Sequence, residues 1–177
     1  VLPEGKTYTF WGKGVSQGHS NAIRKVAGVR RGVQYTVPVP SALAAARSDD
    51  RPVLSARDMH TRVCYVVPQV GADREKIEHD IVTMENYFAD YDTTVHFIDD
   101  ATMDAEHSGL PHGGFVVRSG RTSDGAVQRL EFSLQLDSNP EFTASVLVAY
   151  ARAAARLAGE GRTGAMTVLD IPISYLS

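Results

Sequence analysis

The clearest periodic pattern in the chain is an alternation of polar and apolar residues over positions 129–136. The residues follow in the order Arg129, Leu130, Glu131, Phe132, Ser133, Leu134, Gln135 and Leu136. A repeat of two is the period of a β-strand whose two faces meet different surroundings. The pattern predicts a strand with one buried face and one face that is wet or covered by a partner, as in an antiparallel sheet.

Other short segments rich in β-branched and aromatic residues also predict strands. They cover residues 8–11, 33–37, 62–67, 93–98 and 115–117. A turn around Ser123-Asp124-Gly125 is predicted between the last of these segments and the alternating strand.

Helical spacing is clearest after Asp73, which is a good capping residue. The residues of one predicted apolar helix face are Ile77, Ile81, Met84 and Phe88. The longest helix is predicted to be capped and started by Asn139-Pro140 and to end at Gly159. Its apolar face contains Phe142, Val146, Ala149, Tyr150, Ala153 and Leu157.

Shorter helices are predicted over residues 20–26, from residue 41 and over residues 100–107, whereas residues 47–57 follow neither period and predict a surface loop. This order of elements predicts an α+β fold with a mixed, largely antiparallel sheet and helices packed on one face. The length of 177 residues favours a single domain spanning 1–177.

The composition of the chain indicates which classes of binding partner it suits. The chain is 43% hydrophobic and 22% charged, with a formal net charge of −3 and no long block of either sign. These values argue against a nucleic-acid or membrane partner and favour a small polar ligand. The single cysteine, Cys64, lies within an apolar strand and predicts a buried thiol and a cytoplasmic protein. The chain begins at Val1 without Met or a basic-then-apolar leader, so no signal peptide is predicted, and a longer parent protein stays open.

The segment TFWGKGVSQGHS, residues 9–20, contains three glycines between a predicted strand and a predicted helix. Its glycines are spaced G-x-G-x-x-x-G, which fits neither the dinucleotide-binding pattern nor a phosphate-binding P-loop. A strand, a glycine turn and a helix start still direct several backbone N–H groups the same way, which suits a carboxylate as well as a phosphate. The alternative is a tight turn whose glycines only satisfy backbone geometry.

Four residues outside this segment are candidates for binding. Arg62 begins an apolar strand, where its guanidinium could hold a carboxylate, and His112 stands in a Pro-Gly loop that gives an imidazole little structural purpose. Thr36 and Asn139 have simpler explanations as a strand residue and a helix cap. The six histidines lack metal-binding spacing and Ser16 lacks a nucleophile elbow, so no metal site and no catalytic residue are assigned.

Several separate stretches together resemble one family, meso-diaminopimelate dehydrogenase. They are Phe10-Trp11-Gly12-x-Gly14-x-Ser16-Gln17-Gly18-His19-Ser20, Val33-Gln34-Tyr35-Thr36, Glu106-His107-x-Gly109-x-Pro111-His112-Gly113-Gly114 and Asn139-Pro140-x-Phe142-Thr143-Ala144-Ser145. The resemblance runs in order over nearly the whole chain, and the first stretch is long and nearly gapless.

The resemblance implies an enzyme of two parts, of which this chain is similar only to the second. The first is a Rossmann domain that binds NADP, and the second binds the substrate and forms a homodimer. The family catalyses the reversible oxidative deamination of the D-centre of meso-2,6-diaminopimelate to L-2-amino-6-oxopimelate, in lysine and cell-wall precursor synthesis. No cofactor is therefore expected in this chain, which is predicted to be inactive alone because the nicotinamide and the family's acidic residues near the reacting amine lie in the other part.

The resemblance also implies which residues bind the substrate. Ser16, Gln17 and Gly18 hold the end that is oxidised, and Trp11 lines the pocket. The residues implied for the distal L-end are Thr36, Arg62, His112 and Asn139. The alternative left open is a non-catalytic module that binds an amino-dicarboxylic acid or serves only for dimerisation.

Overall fold

The computed structural model describes Leu2, residues 4–123 and residues 125–177. The chain forms two compact units, Val1–Asp137 and Ser138–Ser177. The elements of the first unit are β1 (Glu4–Trp11), β2 (Gly14–Val15), α1 (Gln17–Arg24), β3 (Val29–Pro38), α2 (Pro40–Ala46), α3 (Ala56–Met59), β4 (His60–Pro68), α4 (Arg74–Val82), β5 (Asp92–Phe97), α5 (Asp100–Glu106), β6 (His112–Arg121) and β7 (Val127–Leu136). The second unit contains α6 (Asn139–Gly159) and a 3₁₀ helix, Ile173–Tyr175.

A four-stranded sheet in the order β2-β3-β4-β5 lies at the centre of the first unit. Its first three strands are antiparallel, and β5 pairs with β4 in parallel. One face packs against α1 and α4 through buried side chains: Ile23, Val29, Cys64, Val66, Ile77, Ile81 and Phe88. On the opposite face, Met103 of α5 packs with Val15, Val33, Tyr35 and Val67.

A second sheet contains three antiparallel strands in the order β1-β6-β7. Tyr8 and Phe10 of β1 pack against Ala42 and Ala46 of α2, which covers one face of this sheet. Strand β7 lies at the edge.

The α+β class and the mixed, largely antiparallel pairing are confirmed. Two details differ from the sequence expectation, because the strands divide between two sheets and α5 packs on the face opposite α1 and α4. Cys64 is buried as predicted, and desolvation raises the pKa of its thiol to about 12. In the predicted turn at 123–125, Asp124 lies outside the described residues.

The alternating strand exists, but its apolar face is not buried. Phe132 is 69% exposed, and Leu130 and Leu134 are exposed beside it. The prediction of a buried face was therefore wrong for the first unit, because none of its other described elements removes these side chains from solvent. The second possibility raised by the pattern, a face covered by a partner, stays a prediction.

The helix after Asp73 is shorter than its apolar spacing predicts. Asp73 caps α4 as expected, accepting a hydrogen bond from Lys76 N at 3.1 Å, but the helix ends at Val82. Asn86 has a φ of 65°, which a right-handed helix does not allow, so the chain turns there. Phe88 still reaches the core, from a turn rather than from the helix face.

The second unit contains the longest helix, α6. Its cap is Ser138, whose hydroxyl accepts from Glu141 N, so Asn139 is the first helical residue and not the cap. Of the predicted apolar face, Ala153 and Leu157 are buried. Within the described chain no helix has the length and hydropathy needed to cross a membrane.

Candidate functional site

The glycine-rich segment forms two short connections, one from β1 to β2 and one from β2 into α1. A Cβ added at Gly12 would lie 2.9 Å from the backbone of Gly113, and one at Gly14 would lie 2.9 Å from the Cα of His112. These glycines therefore let the beginning of β6 pass directly over the turn. Helix α1 begins at Gln17, three residues before the predicted start, so the turn leads straight into a helix N-terminus.

Three aligned residues cross the central sheet beside this helix terminus. Gly14 pairs with Thr36, and Thr36 pairs with Arg62, so their side chains share one face of the sheet. Gly14 has no side chain, and the beginning of β6 fills the space that a Cβ there would need. Thr36 and Arg62 are only 5% and 7% exposed.

Arg62 is a buried cation held by neutral groups. Its guanidinium donates to Thr36 Oγ1 and lies 4.0 Å from the ring centre of Tyr91. Its Nε has no hydrogen-bond partner among the described residues. Gln34 also donates to Thr36 Oγ1, at 3.2 Å. Because that oxygen accepts twice, the Thr36 hydroxyl proton is free to be donated elsewhere.

Trp11 and His112 form a wall opposite the sheet. Their rings meet edge to face, with centroids 5.9 Å apart. His112 Nδ1 accepts from Gly113 N at 2.9 Å, which places the proton of the neutral ring on Nε2. The backbone N–H of Trp11 donates to Nε2 of the buried His60 at 2.9 Å. His60 thus fixes the backbone that carries the indole.

These groups enclose one cavity of about 270 Å³, close to the lower end of ligand-binding volumes. The lining residues are Trp11, Gly12, Gly14, Ser16, His19, Thr36, Arg62 and His112. None of these described lining residues is acidic, and Arg62 supplies a permanent positive charge. The N-terminus of α1 has no side-chain cap and adds a partial positive charge. The cavity is therefore built for an anion.

The structure brings five of the eight predicted site residues into this cavity: Trp11, Ser16, Thr36, Arg62 and His112. Gln17 instead lines a second cavity, with Arg24 and His107. A Cβ at Gly18 would meet nothing within 4 Å. Asn139 lies in the second compact unit, where its Oδ1 is 3.5 Å from Thr143 Oγ1.

Sequence reasoning missed four supporting residues. His19 follows Ser16 by three positions, a spacing that places two residues on one helical turn and could have suggested their contact. Gln34 lies two residues before Thr36 on the same strand face. Tyr91 and His60 carried no local signal, since their roles depend on contacts between distant segments. Among the described residues, no group of three or more His, Cys, Asp or Glu could hold a metal ion.

The buried His60 predicts an acid-sensitive fold. Burial, followed by the nearby charge of Arg62, lowers the pKa of His60. At pH values below about 6.5, the usual histidine pKa, the unfolded chain binds a proton that the folded His60 resists. We expect the free energy of unfolding, measured in urea, to be retained above that pH and to fall below it.

A matched pair of variants isolates this effect. His60→Gln keeps an acceptor for Trp11 N–H without titrating, so the pH dependence should flatten. His79→Gln, at an exposed position of α4, should leave it unchanged. If the free energy of unfolding fell equally with decreasing pH in the wild type and in His60→Gln, the acid sensitivity would belong to other groups.

Comparison with known proteins identifies the family. Residues 1–138 match the family described as diaminopimelic acid dehydrogenase C-terminal domain. The meso-diaminopimelate D-dehydrogenase of Ureibacillus thermosphaericus is 59% identical over 177 residues, which are 100% of this chain and 54% of that protein. The chain thus spans about half the length of the curated relatives it matches.

Solved structures of the same family are also similar to this chain. A C. glutamicum DAP dehydrogenase in complex with DAP is 48% identical with a TM-score of 0.88, and it matches over 99% of this chain and 54% of its own. A meso-DAP dehydrogenase variant from Clostridium tetani E88, solved with DAP, is 59% identical with a TM-score of 0.92, over 99% of this chain and 55% of its own.

The Clostridium tetani variant carries six substitutions, which replace a Gln, a Thr, an Arg, a Pro, a His and an Asn. The same residue types occur in this chain in the same order and at the same separations: Gln17, Thr36, Arg62, Pro111, His112 and Asn139. Pro111 was not among the predicted site residues. With the family match over residues 1–138 and these relatives, the chain belongs to the diaminopimelate dehydrogenase family and contains its C-terminal domain.

Proposed function

We propose that this chain is the substrate-binding half of an NADP-dependent meso-2,6-diaminopimelate dehydrogenase, a cytoplasmic enzyme of lysine and cell-wall precursor synthesis. The observation that carries the proposal is the buried Arg62 guanidinium, which faces a cavity without acidic lining residues and has an unpartnered Nε within the described chain. A buried cation without a carboxylate partner is costly unless a ligand supplies one.

The donors that line the cavity form two groups, which suit a molecule with two carboxylates. The first group is Arg62, the Thr36 hydroxyl and His112 Nε2–H. The second group is the Ser16 hydroxyl and the backbone N–H groups at the uncapped N-terminus of α1. We assign the first group to the L-centre carboxylate and the second to the D-centre carboxylate. Gln17 and Gly18 contribute through their backbone N–H groups.

The relatives support this assignment. The positions substituted in the Clostridium tetani variant correspond in type and spacing to Thr36, Arg62 and His112 in the cavity, and to Gln17 beside it. The same correspondence includes Asn139, and we propose that Asn139 is also a substrate-binding residue. NADP, when bound by a nucleotide-binding domain outside these 177 residues, supplies the hydride acceptor.

Ligand binding tests the proposal directly. We expect calorimetry to detect meso-diaminopimelate and to show at least about tenfold weaker binding of L-lysine, which lacks the second carboxylate and so loses a charge-assisted interaction. Pimelate, which has both carboxylates and no amines, measures what the amines add. Equal affinities for lysine and diaminopimelate would contradict a site for two carboxylates.

The enzymatic part of the proposal has its own test. The coding sequence upstream of Val1 should contain a strand followed by G-x-G-x-x-G, the pattern that binds a dinucleotide. The 177 residues alone should bind the ligand without reducing NADP. A start codon directly at Val1 would instead support the non-catalytic binding module.

We also propose that the chain forms a homodimer through β7. Among the described strands β7 pairs only with β6, so one of its edges has unpaired backbone groups, and its apolar face is exposed at Leu130, Phe132 and Leu134. Edge strands of this kind pair readily with another chain unless they are covered. A second copy of the chain can pair its own β7 with this edge, and a dimer that also buries the apolar face packs a further surface of that copy against it.

Sedimentation measures this dimer. Phe132→Glu should place a charge in the interface and shift the chain from dimer to monomer at concentrations where the wild type is dimeric. Val53→Glu is the matched control, because Val53 is 89% exposed and lies outside β7. A monomeric wild type at high concentration would overturn the dimer proposal and leave the ligand site untouched.

A further inference from the structure

The first turn of α1 contains a serine–histidine contact that the proposed function does not use. Ser16 stands at the cap position, but its side chain makes no capping hydrogen bond. Its Oγ lies instead 2.6 Å from Nδ1 of His19. The rings of Tyr87 and Phe88 meet the imidazole edge to face at 5.4 and 5.7 Å, which fixes its orientation. Both Ser16 and His19 line the cavity.

One proton lies in the hydrogen bond between these two atoms. Whether that proton is bonded to Oγ or to Nδ1 determines what Ser16 can donate to a ligand. If the serine donates to Nδ1, only oxygen lone pairs remain for the cavity, and these repel a carboxylate. If Nδ1–H donates to the serine, the hydroxyl proton is free to point at a ligand carboxylate. Every other polar group that we assigned to the cavity is a donor, so the second arrangement is the one that fits an anion.

We propose that His19 is a positioning residue that donates Nδ1–H to Ser16 Oγ and thereby directs the Ser16 hydroxyl proton at a carboxylate of the bound ligand. This inference rests on the proposed function, since it takes the ligand to be an amino-dicarboxylate. It adds a proton-linked component to binding: a carboxylate in the cavity attracts a second proton onto His19.

The surroundings of His19 favour such a link. Burial, followed by the charge of Arg62, lowers the pKa of His19, so the free protein holds a neutral ring at neutral pH. The other titratable groups near it are Tyr87, from the segment after α4, and His112 of β6, which shares the cavity. None of the described lining residues is acidic, so the ligand supplies the negative charge that opposes this shift. Ligand binding should therefore take up protons from solution.

The tautomer of His19 can be determined in the chain without a ligand. Nitrogen-15 NMR of the histidine rings distinguishes Nδ1–H from Nε2–H, and Ser16→Ala and His19→Asn assign the signals. We expect His19 to carry its proton on Nδ1 above its pKa. An Nε2–H ring in the wild type, with Nδ1 accepting from Ser16, would overturn the inference whether or not the ligand binds.

The proton link is measured by calorimetry with meso-diaminopimelate in two buffers of different ionisation heat. His19→Asn keeps an uncharged donor near the Nδ1 position, so it should bind with near-normal affinity at alkaline pH but take up fewer protons than the wild type. His19→Leu removes the donor and should bind about tenfold more weakly at alkaline pH, as expected for one lost hydrogen bond to a charged group, and the deficit should grow as the pH falls. His79→Asn, on the exposed face of α4, should match the wild type in both respects.

Equal proton uptake by the wild type and His19→Asn would refute the link. Failure of the wild type to bind meso-diaminopimelate would contradict the proposed function, while the NMR reading would still decide the role of His19.

Discussion

Replacing Arg62 by Met should weaken the binding of meso-diaminopimelate by about 100-fold, because a buried guanidinium paired with a carboxylate typically contributes several kcal/mol. Met fills a similar volume without charge. The free energy of unfolding should not fall in the same variant. The buried cation donates to the Thr36 hydroxyl and packs on the Tyr91 ring, with no carboxylate partner among the described residues, so its removal should leave the free energy of unfolding unchanged or raise it. Calorimetry and urea unfolding measure the two quantities on the same protein.

A variant that binds the ligand more weakly without losing free energy of unfolding shows that Arg62 has a binding role and not a structural one. Arg62→Lys keeps the charge but loses the fork of donors, so its affinity should lie between those of the wild type and the Met variant. Arg152→Met, at an exposed position of α6 and without an ion pair or side-chain hydrogen bond among the described residues, is the control and should alter neither quantity. Unchanged ligand affinity in Arg62→Met would remove Arg62 from the site, and a large loss of stability would make its role structural.

The second large effect is expected at Phe88, which is fully buried between α1, α4 and the central sheet. Phe88→Ala should lower the free energy of unfolding by about 3–5 kcal/mol, because it leaves a cavity in a packed core. Tyr87→Ala is a close control, since Tyr87 also contacts the His19 ring but is 40% exposed. Its cost should be about 1 kcal/mol or less.

Urea unfolding of the two variants measures this difference. If both variants lost similar free energies, the packing around α1 would not depend on burial of Phe88 in the way the structure indicates. Because Phe88 also holds the His19 ring, ligand affinity should be measured only under conditions where Phe88→Ala is still folded.

The elements most visible in the sequence are those whose periodicity is local. Strand β7 and the start of α4 follow directly from alternation and from the Asp73 cap. The end of α4 could not be predicted, because Ile77, Ile81 and Phe88 all pack in one core although only the first two lie on the helix. Division of the strands into two sheets depends on pairing between distant segments, which local periodicity does not encode.

The site was partly predictable for a similar reason. The motif containing Trp11 and Ser16 is contiguous, and the family resemblance assigned the distant candidates Arg62 and His112 to the same site. The sequence could not show that Thr36 and Arg62 lie side by side, because their contact depends on the antiparallel register of β3 and β4. Tyr91 reaches Arg62 only through the fold.

A crystal structure of the chain with meso-diaminopimelate tests the central claim most directly. We expect one carboxylate within about 3 Å of the Arg62 guanidinium and the His112 ring, with the other directed at Ser16 and the N-terminus of α1. A ligand bound outside this cavity, or one whose carboxylates avoid Arg62, would contradict the account.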